Sequence, residues 1–300
     1  MTGLNALIKR NTKLFFRDKG LFFTSLITPA ILLVLYAAFL AKVYRDSFTT
    51  AVPLFLEFEE GLLGGMVGGQ LVSSLLAVSC VTVPFCSNML IVQDKVNKCR
   101  GDLAVTPVKG STLAIGYFAA TLISSLIICF VAFGLGCIYL AVEGWYLTAG
   151  DILLVSADIL LTVMFGTALS SVINFFLSSQ GQISAVGTIV SSGYGFICGA
   201  YMPISQFGEG LQRVISFLPG TYATSLFRRH LTQGVLDTVA DKGFPEEAII
   251  EMGDVFDANL YFFGNEVGDG LKFAVVIGTV TLLLGIYIAL NAYRAGKVGK

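Results

Sequence analysis

Residues 93 to 110, QDKVNKCRGDLAVTPVKG, form the one strongly polar break between two of the longest apolar runs in the chain. Lys95, Lys98, Arg100 and Lys109 sit there with Asp94 and Asp102, and Thr106-Pro107 precedes the return of hydrophobicity. The work these residues could do is mechanical. A short amphipathic segment slung between two spanning helices receives a push from a soluble partner and passes it to both. A solvated loop with some helical content fits the same residues.

Covalent chemistry finds little support. The single histidine, His230, lies in an Arg228-Arg229-His230 cluster. There is no His-x-x-Glu-His, no Gly-x-Ser-x-Gly and no Gly-x-x-x-x-Gly-Lys-Ser/Thr loop to cradle phosphates. The chain is expected to have no catalytic residue, metal or cofactor of its own, and any ATP it uses is bound by another subunit. Of six cysteines, Cys80, Cys86, Cys129, Cys137 and Cys198 lie in apolar runs and Cys99 in the basic loop, a spacing that suggests neither a disulfide framework nor a metal site. Small apolar filler is the reading they favour. Asp158 is the one acid well inside an apolar run, by default a functional group at such depth. It is also two turns from its helix start, where interfacial water is within reach.

The elements that position these residues belong to a membrane. Apolar residues make up 55% of the chain and charged residues 13%, about half the charged share of a soluble domain. Nucleic-acid binding has no support. Residues 4 to 19 place Leu4, Leu7, Ile8, Leu14 and Phe15 near one side of a helix and Arg10, Lys13 and Arg17 on the other, the pattern of a helix lying on a membrane surface. A signal peptide is the competing reading. The apolar run that follows, Leu21 to Ala41, is about twenty residues, longer than a signal core, and predicts a retained first span. Further spans are expected at about 62–92, 111–141, 150–177, 183–201 and 271–292.

The second span opens with GLLGGMVGGQ, a glycine density that lets helix backbones approach closely. Residues 203 to 229, broken by Pro203, Gly208, Gly210 and Pro219, predict a re-entrant helical hairpin. Residues 230 to 270 hold many acids against a single lysine, Lys242, and read as an acidic external segment. With six spans and both termini inside, the basic segments 1–20, 93–106 and 293–300 face the cytoplasm, as the positive-inside rule asks. The fold class is therefore an all-α membrane protein.

In this order and spacing, the chain resembles the membrane subunit of ABC-2 type transporters. The resemblance rests on the basic amphipathic start, the six spans, the loop QDKVNKCRGDLAVTPVKGSTLAIGYF and the block from Gly193 to Arg228 with Gly199, Pro203, Pro219, Thr221 and Tyr222. It implies an exporter permease in a cell membrane, of bacterial type, paired with a second copy or a sister permease and docked by two nucleotide-binding subunits that carry ATP and Mg. It also implies a coupling element made of Asp94, Lys95, Val96, Lys98, Arg100, Gly101, Asp102, Leu103 and Val105. Leu7, Arg10, Lys13, Phe15 and Arg17 would form the flanking interface helix. Gly64, Gly65, Gly68, Gly69, Gly195, Gly199, Pro203, Pro219 and Tyr222 would line or gate the path, although tight helix packing explains the glycines too. The loop departs from the family's usual pattern, because Gly101 falls later than the family glycine.

Mostly apolar spans suggest a lipophilic or amphiphilic cargo. A polysaccharide or teichoic-chain exporter would line its channel with aromatic rings, for which Tyr117, Phe118, Tyr139 and Tyr194 are available. A secondary transporter would show inverted repeats, and none is found. A membrane sensor would not need the amphipathic loop.

Overall fold

The computed structural model describes residues 2–51, 59–99, 109–202, 204 and 207–298. Helix α1 covers Thr2–Arg17 and α2 Lys19–Leu35; a π-helical turn, Tyr36–Leu40, leads into α3, Ala41–Ala51. Then come α4 (Glu60–Val96), α5 (Gly110–Glu143), α6 (Ala149–Phe176) and α7 (Gln180–Ile197). The remaining helices are α8 (Glu209–Ile215), α9 (Pro219–Asp241), α10 (Glu246–Val255) and α11 (Asp269–Val298). A two-residue hairpin before α11 pairs β1, Tyr261–Phe262, with β2, Asn265–Glu266, antiparallel. Among the described residues the fold is all-α apart from this hairpin.

Four described helices are long and apolar enough to cross a membrane: α4, α5, α6 and α11. They become five if α1 and α2, bent by 73° at Asp18, count as one broken span. The sequence predicted six. The difference lies in two places with identifiable causes. Helix α2 is 17 residues long before the backbone winds into the π turn. The 18 residues of α7 include Gln180, Gln182, three serines and a threonine, which dilute its apolarity. Asp18 makes the sharp bend stable by capping α2: its carboxylate accepts from the Leu21 amide at 3.1 Å.

Helix α4 is the centre of the bundle, packed by α2, α5, α6, α7 and α9. Its apolar window is 94% buried, against 17% for that of α11. A helix apolar all round belongs in an interior, and the glycines of α4 let neighbours approach to backbone distance. A Cβ on Gly64 would fall 2.3 Å from the Glu143 carbonyl oxygen, and one on Gly69 would fall 2.8 Å from that of Leu231. The turn after α5 is wedged in from the other side, since a Cβ on Gly234 of α9 would meet the Tyr146 carbonyl at 2.0 Å.

Helix α9 is the exception to apolar patterning. It is largely buried yet carries Thr221, Thr224, Ser225, Arg228, His230 and Thr232 inside. Pro219 starts it at a position where a missing amide hydrogen costs nothing. It runs unbroken to Asp241, so the expected boundary at residues 229 and 230 falls in mid-helix. The acidic segment beyond it is not detached either. Met252, Phe256, Ala258, Leu260 and Val267 are all buried.

Candidate functional site

The node of the structure is the last turn of α4. Asp94 and Lys95 are adjacent and of opposite charge, and each turns to a different helix. The Asp94 carboxylate takes both arms of the Arg10 guanidinium of α1, Nη1 at 2.9 Å and Nη2 at 3.3 Å. It also accepts from the Tyr117 hydroxyl of α5. Bidentate Arg–carboxylate geometry is the strong form of this contact, and hydrogen bonding to Asp94 holds Arg10 above its ordinary pKa. Lys95 Nζ donates to three carbonyls at the end of α6: Asn174 at 2.7 Å, Phe175 at 2.8 Å and Leu177 at 3.0 Å. A cation there answers the unpaired carbonyls and the negative pole of the helix dipole. Less than two turns further in, the Asn88 amide donates to Ser170 and Ser171 of α6, both at 2.9 Å, and accepts from Thr121 of α5 at 3.3 Å. Two adjacent residues thus tie the C-terminal end of α4 to α1, α5 and α6.

Of the expected coupling residues, Asp94, Lys95, Val96 and Lys98 are described, whereas Arg100, Gly101, Asp102, Leu103 and Val105 lie outside the described residues. Asp94 and Lys95 spend their side chains inside the helix bundle. Val96 and Lys98 are exposed. In the flanking helix Leu7 and Phe15 are buried, Lys13 and Arg17 are exposed, and Leu7 packs on Gly116 of α5.

The expected path residues are distributed differently from the sequence reading. Gly64, Gly65, Gly68 and Gly69 face no open space: a Cβ on Gly65 would meet the Tyr146 ring at 2.7 Å and one on Gly68 would meet Leu140 at 2.8 Å. They are packing positions. Gly195 lies under the Tyr201 ring, and Gly199, with φ of +73°, takes the left-handed turn that ends α7. Tyr222 holds a corner, because its hydroxyl donates to Ser216 O at 2.8 Å while Thr221 donates to Ile215 O at 2.9 Å. Together with Pro219 they fasten α9 to the end of α8. Pro203 lies outside the described residues.

Tyr117, one of the aromatics available to a sugar channel, is buried on Asp94. The open space is elsewhere. A groove of ≈ 690 Å³ runs between α2 and α7, with Cys86, Met89 and Gln93 of α4 as its floor. Its walls alternate Ile27 and Ile31 with Thr24, Thr28, Ser184 and Thr188.

Asp158 has a partner that the sequence reading did not name. Its Oδ2 lies 2.6 Å from His230 Nδ1 on α9, with Asp158 1% and His230 6% exposed. Two residues earlier in α9, Arg228 Nη1 donates to Asp257 at 2.9 Å and Nη2 to the Gly199 carbonyl at 2.6 Å. Asp257 also accepts from the Ile204 amide. Lys272 of α11, buried too, donates to Ala258 O at 3.1 Å and to Asp269 at 2.9 Å. This network joins α6, α9, α11 and the end of α7. Its sequence signal is Thr221, Thr224, Arg228 and Thr232, polar residues at helical spacing within a stretch that reads as broken.

No curated protein matches the sequence significantly. Residues 2–231 match the ABC-2 type transporter family, a stretch that runs from α1 into α9 and holds the Asp94–Lys95 node, the groove and the Asp158–His230 pair. The chain belongs to the ABC-2 type transporter family, as a membrane permease of the kind that associates with ABC ATPase subunits.

Proposed function

We propose that the chain is the permease of an ATP-driven exporter in the cell membrane, moving a lipophilic or amphiphilic small molecule outward. Two copies, or this chain and a sister permease, pair, and two nucleotide-binding subunits carrying ATP and Mg dock on the cytoplasmic side. In this reading α2, α4, α5, α6, α7 and α11 are the six crossings, both termini are cytoplasmic, and α8 with the start of α9 is the re-entrant element.

The single observation that carries the proposal is the Asp94–Lys95 node. A displacement of residues 93 to 110 reaches α1 through Arg10, α5 through Tyr117 and α6 through Lys95, so one push moves three helices around α4. Opening follows as those helices shift against α2 and α7, the two walls of the groove. The alternation of isoleucine with threonine and serine on those walls supports a cargo that is apolar with a few hydrogen-bonding groups.

The test is reconstitution of the chain with its ABC ATPase, reading hydrolysis and cargo movement in parallel. Arg10→Met together with Lys95→Met should leave assembly intact and uncouple hydrolysis from transport. Full transport by that double variant would remove the node from the mechanism. Absence of any ATPase association would remove the exporter reading itself.

A further inference from the structure

A row of cations on α1 has no use in this mechanism. Lys9, Lys13 and Arg17 are four residues apart, so they stand one above another along one side of the helix. All three are exposed, and none has an ion-pair partner among the described residues. The nearest acid in sequence, Asp18, is engaged on the Leu21 amide. The opposite side of α1, with Leu7, Asn11 and Phe15 buried, faces the bundle. Arg10, the cation nearest the coupling segment, is already turned inward to Asp94.

Two further observations say what the row faces. The 73° bend at Asp18 lays α1 close to the membrane plane when α2 crosses it. Among the cations, Phe16 is 37% exposed, and just past the bend Phe23 is 60% exposed. Phe15, Phe16, Phe22 and Phe23 form one cluster of edge-to-face and tilted rings, with centroids 5.2 to 6.4 Å apart. Exposed aromatic rings beside an unpaired line of cations suit the boundary between headgroups and acyl chains, where ring and charge are both satisfied. A water-facing protein surface would leave the rings unsatisfied.

We propose that Lys9, Lys13 and Arg17 form a binding row for anionic phospholipid headgroups in the cytoplasmic leaflet. The row selects acidic over zwitterionic lipid by charge and fixes the depth of α1, and through Arg10 the position of Asp94. Nearby lipids are held by attraction between headgroup phosphates and the three side chains, which is weakened by salt.

The test uses the full-length chain in phosphatidylcholine nanodiscs containing spin-labelled phosphatidylglycerol or spin-labelled phosphatidylcholine. The motionally restricted fraction of each label measures its association with the protein. Wild type should favour phosphatidylglycerol, less so in high salt, and each of Lys9→Gln, Lys13→Gln and Arg17→Gln should reduce the preference by up to about fivefold. Lys13→Arg, which keeps the charge, should retain it. Equal association of the two lipids in wild type, or a preference unchanged in the triple variant, overturns the proposal. So does a triple variant that weakens ATPase docking equally in neutral and acidic bilayers with lipid association unaltered, since the row would then belong to the soluble partner.

Discussion

Asp94 and Lys95 are neighbours in the chain and do not pair with each other: the carboxylate goes to Arg10 of α1 and the ammonium to the carbonyl end of α6. Opposite charges set one residue apart on a helix point about 100° away from each other, which lets one turn of α4 hold two different neighbours. The arrangement makes the C-terminal end of α4 a branching point.

Arg10 and Asp94 should behave as a coupled pair. Asp94 is 5% exposed, so removing Arg10 leaves a largely buried carboxylate supported by Tyr117 alone. Arg10→Met and Asp94→Asn should each lower the rate of coupled transport by roughly tenfold, equivalent to about 1.4 kcal/mol. The double variant should cost less than the product of the two, as a double-mutant cycle on transport and on thermal unfolding would record.

Lys95→Met should fray the end of α6. Three carbonyls lose their donor, and helix-end interactions of this kind contribute about 0.3–1 kcal/mol each at exposed sites. Faster hydrogen exchange confined to residues 172–177, with transport reduced and insertion normal, is the expected outcome. Lys95→Arg should restore part of both.

Arg228→Met should be more destabilising than Asp158→Asn. Arg228 and Asp257 are both buried, and removing one partner of such a pair costs about 3–5 kcal/mol. Asp158→Asn keeps a group able to hydrogen-bond His230, so its cost should be about 1–2 kcal/mol. Urea or thermal unfolding in detergent ranks the two. For the same reason, deletion of residues 237 to 266 should prevent folding, as it removes Asp257 and the buried Met252 and Phe256.

Glycine substitutions should separate cleanly by location. Gly64→Ala and Gly234→Ala drive a methyl group against backbone carbonyls and should cost several kcal/mol, because neither carbonyl can move without its helix or turn. Gly278→Ala in α11 meets open space and should stabilise by about 0.5–1 kcal/mol. Melting temperatures of the three variants would show the contrast.

The membrane class, the amphipathic first helix and the long spans were legible in the sequence because each is a local pattern of apolarity and charge. Lys95 and Asp94 were legible as residues of interest, but not their direction, since a charge run reads the same whether it faces water or a neighbouring helix. The extent of helix α9 was misjudged because Pro219 read as a breaker, whereas at a helix start proline is accommodated. The partnership of Asp158 with His230 joins positions 72 residues apart, and no local pattern encodes such a distance. The glycines of α4 show the same limit: their density announced close approach, and only the neighbours reveal that Glu143, Tyr146 and Leu231 fill the space.

The burial of α4 also bears on how such a permease can diverge. A helix enclosed on every side has no face on which its sequence can drift, so under the proposed export role new cargo preferences would arise on α2 and α7, the walls of the groove, while α11, open along most of its length, is free to follow the lipid of its host. Adaptation to cargo and adaptation to membrane would then proceed on separate helices.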